Sequence, residues 1–332
     1  MKISHSLILA LLCVVVLSSG CEKEKTVANI SKLSGDTWAE KLGYPKDKVI
    51  LILHADDIGM CEEANEAAMP YLSANEIQSA AGMVPCEYFE EFAAWYKDHT
   101  TVDVGLHLTL TSEWQTWRWG PVAGKENVPG LVDSEGYMWR DVMSVVQHAS
   151  AAEIEMEIRA QLEKALSLGI QPGHIDTHMG TLYASYDYTA AYLKIAEEYK
   201  IPAMAINMSG EVAEKFRAQG YPITEGLVDL LDSYPLPKLD DFHAVEHGAT
   251  YEEKKVNFYN QVRNMKPGLN EIIFHPSVLT ENLKTITNSW QQRVWEAQMF
   301  SDSAVKQFFV EEGIVFTNWK EIMQRYKERT GA

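Results

Sequence analysis

The chain has 332 residues, 46% of them hydrophobic, and sets 29 Lys and Arg against 47 Asp and Glu for a formal charge of −18. That much apolar material builds a sizeable core and excludes a disordered protein. The acidic balance, with no basic block, excludes nucleic acid as a partner, because such binding runs on Lys and Arg contacts to phosphate.

Four cysteines (Cys13, Cys21, Cys61, Cys86) are too few and too irregularly placed for a disulfide framework or a cysteine zinc site. At the N-terminus, Lys2, the apolar run Leu7 to Leu17 and the small residues Ser18-Ser19-Gly20 before Cys21 have the parts of a signal peptide, and the run is short for a membrane span. The end of this segment is similar to a bacterial lipobox, with Leu17 one place earlier than the usual leucine. Ordinary secretion with a free Cys21 is the alternative. The expectation is a lipoprotein-type signal at 1–20, a polar tether at 21–45 and one catalytic-size domain at 46–332. The protein would then be exported and touch the membrane only through a lipid on Cys21.

Val49-Ile50-Leu51-Ile52-Leu53 reads as a strand buried on both faces, and it runs into His54-Ala55-Asp56-Asp57-Ile58-Gly59. Asp57 either caps the next helix or belongs to a site at the strand end. Helical spacing follows over 62–73, a second strand over 77–84, a helix over 87–97 and a third strand over 102–110. Residues 111–146 form a long insertion with Trp114, Trp117, Trp119 and Trp139, the kind of loop that serves as lid or binding wall. Trp114, Trp117 and Trp119 either stack on a ligand or anchor the loop to the barrel. Ser150 and Glu153 predict a capping box opening a helix that Gly169 closes. A short strand over 173–177, a helix over 184–200 and a strand over 203–207 come next, and 209–245 reads as irregular. Thr250 caps a further helix to about Met265. Gly268 then turns into Glu271-Ile272-Ile273-Phe274-His275-Pro276, and two late helices flank a last strand over 313–317. Six or seven strands separated by helices favour a parallel barrel or a doubly wound sheet, and polar residues at many strand ends favour the barrel.

Four strands end in acid or imidazole groups: Asp56-Asp57, His107, Asp176 with His178, and His275. A single strand-end histidine is more often structural than functional, but in a parallel fold all four ends converge on one face. One Asp with two His suits a divalent metal with open coordination positions, and an adjacent carboxylate can serve as base.

In this order, His54-Ala55-Asp56-Asp57-Ile58-Gly59, Gly105-Leu106-His107-Leu108, His174-Ile175-Asp176-Thr177-His178 and Phe274-His275-Pro276 resemble the YdjC-like carbohydrate deacetylases over about residues 48–320. The resemblance implies a distorted parallel (β/α) barrel and metal-dependent removal of an N-acetyl group from an amino sugar or N-acetylated oligosaccharide. By position it implies Asp57, His107 and His178 as ligands of a divalent ion, Mg2+ or Zn2+, with Asp56 as base toward a metal-activated water and His275 as acid. Two places depart from the family pattern: His54 stands where Asn is common, and Met179-Gly180 where further histidines are. Asp176 is either a turn residue or a support for a ligand histidine. The rival readings are a glycan-binding protein without catalysis, a glycoside hydrolase with paired acids, and an iron oxygenase with the same ligand set.

Overall fold

The computed structural model describes residues 33–208 and 210–331, so the expected signal peptide at 1–20, and Cys21 with it, lies outside the described residues. In chain order the elements are α1 (Trp38–Lys41), β1 (Val49–Ile58), α2 (Glu62–Ser73), β2 (Ser79–Gly82), α3 (Phe89–Tyr96), β3 (Val104–Leu108), α4 (Val142–His148), α5 (Ala151–Ser167), β4 (Ile175–Thr177) and α6 (Tyr186–Tyr199). They continue with α7 (Gly210–Ala218), α8 (Glu225–Ser233), β5 (Asp241–Ala244), α9 (Tyr251–Arg263), β6 (Gly268–Phe274), α10 (Glu281–Ile286), α11 (Trp290–Ser301), α12 (Ser303–Glu311), β7 (Val315–Phe316) and α13 (Trp319–Thr330). No described helix is long and apolar enough to cross a membrane.

β1 is the spine. Its apolar run is buried from Ile50 onward, as a strand must be when neighbours flank it and helices cover both faces. The seven strands form one sheet in the order β4-β3-β2-β1-β6-β5, with β7 beside the start of β1, and every pairing is parallel. The two edges meet through residues 203–206. Ala203 bridges Ile175, Ile206 bridges Leu239, and Met204 N–H donates to Ile175 O at 2.8 Å while Asn207 N–H donates to Leu239 O at 2.7 Å. The sheet therefore curls into the expected distorted parallel barrel.

Several boundaries differ from expectation. The stretch 203–207, expected as a strand, makes only these two bridges. The stretch 209–245, expected as irregular, holds α7, α8 and β5. Its prolines at 222, 235 and 237 lie between the elements, and Thr224 caps α8 by accepting from Leu227 N–H, so the prolines punctuate short elements rather than mark an irregular stretch. The insertion ends inside α4, which Asp141 caps. The Ser150–Glu153 capping box forms as expected. Of the stretch expected as tether, the part from Leu33 is described, and Trp38, Leu42 and Tyr44 within it are buried in the main core. A satellite core of Met60, Cys61, Met83 and Trp119 lies under the insertion.

α9 and α11 share a buried ion pair. Lys254 Nζ donates to Glu296 Oε1 at 2.9 Å, to Gln292 Oε1 at 3.2 Å and to Glu246 O at 3.1 Å, which uses all three of its protons. Glu296 Oε2 in turn accepts the His275 N–H at 2.6 Å. Removing one partner of such a pair leaves the other desolvated and unpaired, so Lys254→Met is expected to cost about 3–5 kcal/mol. Urea unfolding reads the loss, and Lys254→Met combined with Glu296→Leu should recover part of it.

Candidate active site

β1 becomes irregular where the site begins. Its register against β2 shifts between Ala55 and Ile58, and Asp57 adopts φ 62°, a left-handed conformation that costs a non-glycine residue about 1–3 kcal/mol. In a regular strand Asp56 and Asp57 would face opposite ways; here both line one cavity. The helix-cap reading of Asp57 fails, because Cys61 occupies the N-cap of α2. Gly59, at φ 84°, closes the turn. A Cβ there would lie 2.8 Å from Phe89 Cα, and the Gly59 N–H is held by Asn65 Oδ1 at 2.7 Å.

Asp57, His107 and His178 are brought together and buried. Asp57 Oδ1 is 3.5 Å from His107 Nε2 and 3.3 Å from His178 Nδ1, and the two nitrogens are 3.1 Å apart. The other ring nitrogens are occupied. His107 Nδ1 donates to Asp176 Oδ1 at 2.6 Å, and His178 Nε2 lies 3.1 Å from both Glu113 oxygens. With those protons placed, both lone pairs and Asp57 Oδ1, which lacks a hydrogen bond, converge on one point. A tetrahedral ion with bonds of about 2.0–2.1 Å separates its ligand atoms by roughly 3.3–3.4 Å, so the three atoms have the spacing of a metal face. The electrostatics agree. Burial resists the charge of His178, but Glu113 and Asp57 lift its pKa to about 10. Burial resists ionisation of Asp57, but Arg293, whose Nη2 donates to Oδ2 at 2.7 Å, and His178 hold it well below the usual carboxylate range. This is a field that favours added positive charge.

Beneath the trio lies a second layer. Asp56 Oδ1 and Asp176 Oδ2 are 3.1 and 3.2 Å from His54 Nε2. His174 sits 3.5 Å from Asp176 Oδ2 and stacks on Trp319. Burial works against the His54 cation, yet Glu271, Asp176 and Asp56 keep its pKa well above the ordinary imidazole value. Gly105 on β3 is required here, since a Cβ would fall 2.3 Å from His174 Nε2. Asp176 therefore has the supporting role toward His107 rather than that of a turn residue.

His275 follows β6 at the cavity wall with its side chain 32% exposed and Nδ1 3.9 Å from Glu296 Oε2. The cavity, about 450 Å3, is the one that takes in Asp56, Asp57, His107, His178 and His275. Of the tryptophans, Trp117 ties the insertion to the barrel by donating Nε1–H to Met60 O, while Trp119 Nε1 donates to Thr111 O and Trp139 Nε1 to Gly130 O within the insertion. Sequence reasoning missed Glu113 and Arg293. Glu113 had a signal, an acid five residues past a strand that carries a ligand candidate. Arg293 had none, being one polar residue among many on α11.

Glu271 on β6 completes the layer, accepting Trp319 Nε1–H at 2.9 Å. Burial, reinforced by Asp176 and Asp56 against the pull of His54 and His174, pushes its pKa up to about 7. An unfolded glutamate releases its proton near about 4.3. Between those values the folded chain binds the extra proton, so Glu271 makes stability fall as pH rises through that window. Glu271→Gln is expected to flatten the fall, by a few kcal/mol at most, in urea unfolding compared at the two ends of the window.

Residues 50–311 match the family described as YdjC-like protein. Among curated proteins, the carbohydrate deacetylase of Thermus thermophilus is 29% identical over 264 residues, covering 79% of this chain and 89% of that one. The carbohydrate deacetylase of Brevibacillus brevis is 28% identical over 273 residues, covering 82% and 99%. Among solved structures, an Enterococcus faecalis protein described as a cellobiose-phosphate cleavage protein superposes with a TM-score of 0.67 at 22% identity, covering 83% of this chain and 99% of that one, and so shares the fold. With nearly the whole barrel inside the matched span, the chain belongs to the YdjC-like family.

Proposed function

We propose that the protein is a metal-dependent carbohydrate N-deacetylase, which hydrolyses the acetamide of an N-acetylated amino sugar or oligosaccharide to acetate and the free amine. The observation that carries this reading is the convergence of Asp57 Oδ1, His107 Nε2 and His178 Nδ1 at 3.1–3.5 Å with both imidazoles oriented by carboxylates. The carbohydrate deacetylases among its relatives support it. Those three residues would hold the ion. Two imidazoles and near-tetrahedral spacing suit Zn2+ better than Mg2+, which prefers oxygen ligands in octahedral array. When bound, the ion supplies Lewis-acid polarisation of the amide carbonyl and a lowered pKa for water.

The chain's own groups do the rest. Asp56, held by His54 at 3.1 Å, accepts a proton from the attacking water as the new C–O bond forms. His275 delivers a proton to the amide nitrogen as the C–N bond breaks, because an amine leaves poorly as its anion. The backbone bond from His275 N–H to Glu296 fixes the strand end that presents the ring. Arg293 neutralises the Asp57 oxygen that faces away from the histidines. We further propose export on the signal at 1–20, with lipid on Cys21 and a tether running to α1.

Acetate release from N-acetylated mono- and oligosaccharides tests the reading. Asp56→Asn is expected to keep its metal and lose about 10²–10⁴-fold in turnover; undiminished activity would remove Asp56 as the base. Glu113→Gln is expected to bind metal about 10–100-fold more weakly in competition with a chelator, because His178 loses the partner that sets its tautomer.

A further inference from the structure

The catalytic cavity has two unlike sides. One is the ionisable floor already described. The other is built by the 203–208 segment, α7, α8 and their connection, and presents Met204, Ile206, Met208, Phe216, Ile223 and Leu227. Phe242 and Ala244 of β5 and Ile273 of β6 continue it down toward His275. Among the described cavity-lining residues between 204 and 244, the Tyr221 hydroxyl is the only side-chain polar group, and Tyr221 sits at the rim, 43% exposed. Tyr183, deeper in, already donates its hydroxyl proton to Met204 O.

A sugar can offer this wall only its C–H face, and every hydroxyl directed at the aliphatic side chains would be buried without a partner, at about 1–3 kcal/mol for each. An oligosaccharide needs hydrogen-bonding groups along its length, and this side offers almost none. Apolar surface kept in contact with the reacting centre is instead matched by apolar surface on the substrate.

We infer that the substrate is an amphiphile, an N-acylated amino sugar bearing an alkyl or similarly apolar group that fills the 204–244 wall while the amide reaches Asp56 and His275. This rests on the deacetylase reading above for its amide hydrolysis, with the length of the acyl group left to the substrate series below. Two positions on the sugar could carry the group, namely an acyl chain longer than acetyl or an apolar aglycone. Both present the same chemistry to the wall.

Two substrate series separate them. One compares methyl and octyl glycosides of N-acetylglucosamine, and the other compares N-acetyl with N-octanoyl glucosamine, all below their micellar concentrations. Free-amine release gives kcat/KM, and calorimetric titration gives affinity independently of turnover. Burying a methylene is worth roughly fourfold, so three buried methylenes raise kcat/KM and affinity about 60-fold in the series that matches the natural attachment. Phe216→Ala with Leu227→Ala should shrink the octyl-to-methyl ratio about tenfold or more. The wild-type series does not depend on how well that variant folds. Equal values for long and short compounds in both series, or a preference for N-acetylated oligosaccharides over every alkyl compound, overturns the inference and leaves the deacetylase reading standing. An affinity gain without turnover of any compound does the reverse.

Discussion

The structure depends on keeping a carboxylate ionised where water is largely excluded. Asp57 is 1% exposed, at the end of a strand buried on both sides, and an unpaired charge there would cost several kcal/mol. Its two oxygens are treated differently. Oδ2 receives the Arg293 guanidinium from α11, while Oδ1 faces two imidazoles whose lone pairs point the same way. Arg293 thus secures the anion without occupying the oxygen that faces the cavity. The strained φ of Asp57 is the local expense of that division, and the surrounding pairings hold it in place.

The same logic extends downward through the barrel. Asp56, Asp176 and Glu271 are all buried, and such a concentration of acids survives only because His54 and His174 are packed among them. Gly105 on β3 leaves room for the His174 ring, where a Cβ would fall 2.3 Å away, and Gly173 before β4 leaves room for the Asp103 carboxylate, where one would fall 2.1 Å away. Glycine in these places buys close approach of backbone to a charged layer, at some loss of strand propensity. A floor so tightly specified orients Asp56 through His54 and His107 through Asp176. Small errors of position there would be felt in any reaction above it.

How much of this was legible follows from where each residue sits. Asp57, His107, His178 and His275 stand next to apolar runs, and strand polarity alone sends all four ends to one face, so the convergence could be anticipated before any coordinates. That both Asp56 and Asp57 turn into one cavity could not, because it depends on a register shift and a left-handed residue that no pattern of side chains announces. Arg293 approaches from α11, more than two hundred residues along the chain, and its pairing is purely tertiary. The helices α7 and α8 escape for a different reason: each is only nine residues long, is bounded by proline or glycine and buries two residues, so the breaks between them stand out more than the short amphipathic runs they enclose.

Strand ends and the 203–233 excursion answer to different constraints. Asp57, His107, His178 and His275 are placed by the ends of strands in one sheet, and so they stand at readable positions. Much of the wall opposite them is carried by the 203–208 segment, α7 and α8, which meet the sheet through bridges at Ala203 and Ile206, while Phe242, Ala244 and Ile273 come from the sheet itself. The charged groups of the cavity accordingly stand where the sequence is most regular, and most of its apolar lining where it is least. The meeting of a charged floor with an aliphatic wall in one cavity links the two, since the same substrate has to satisfy both.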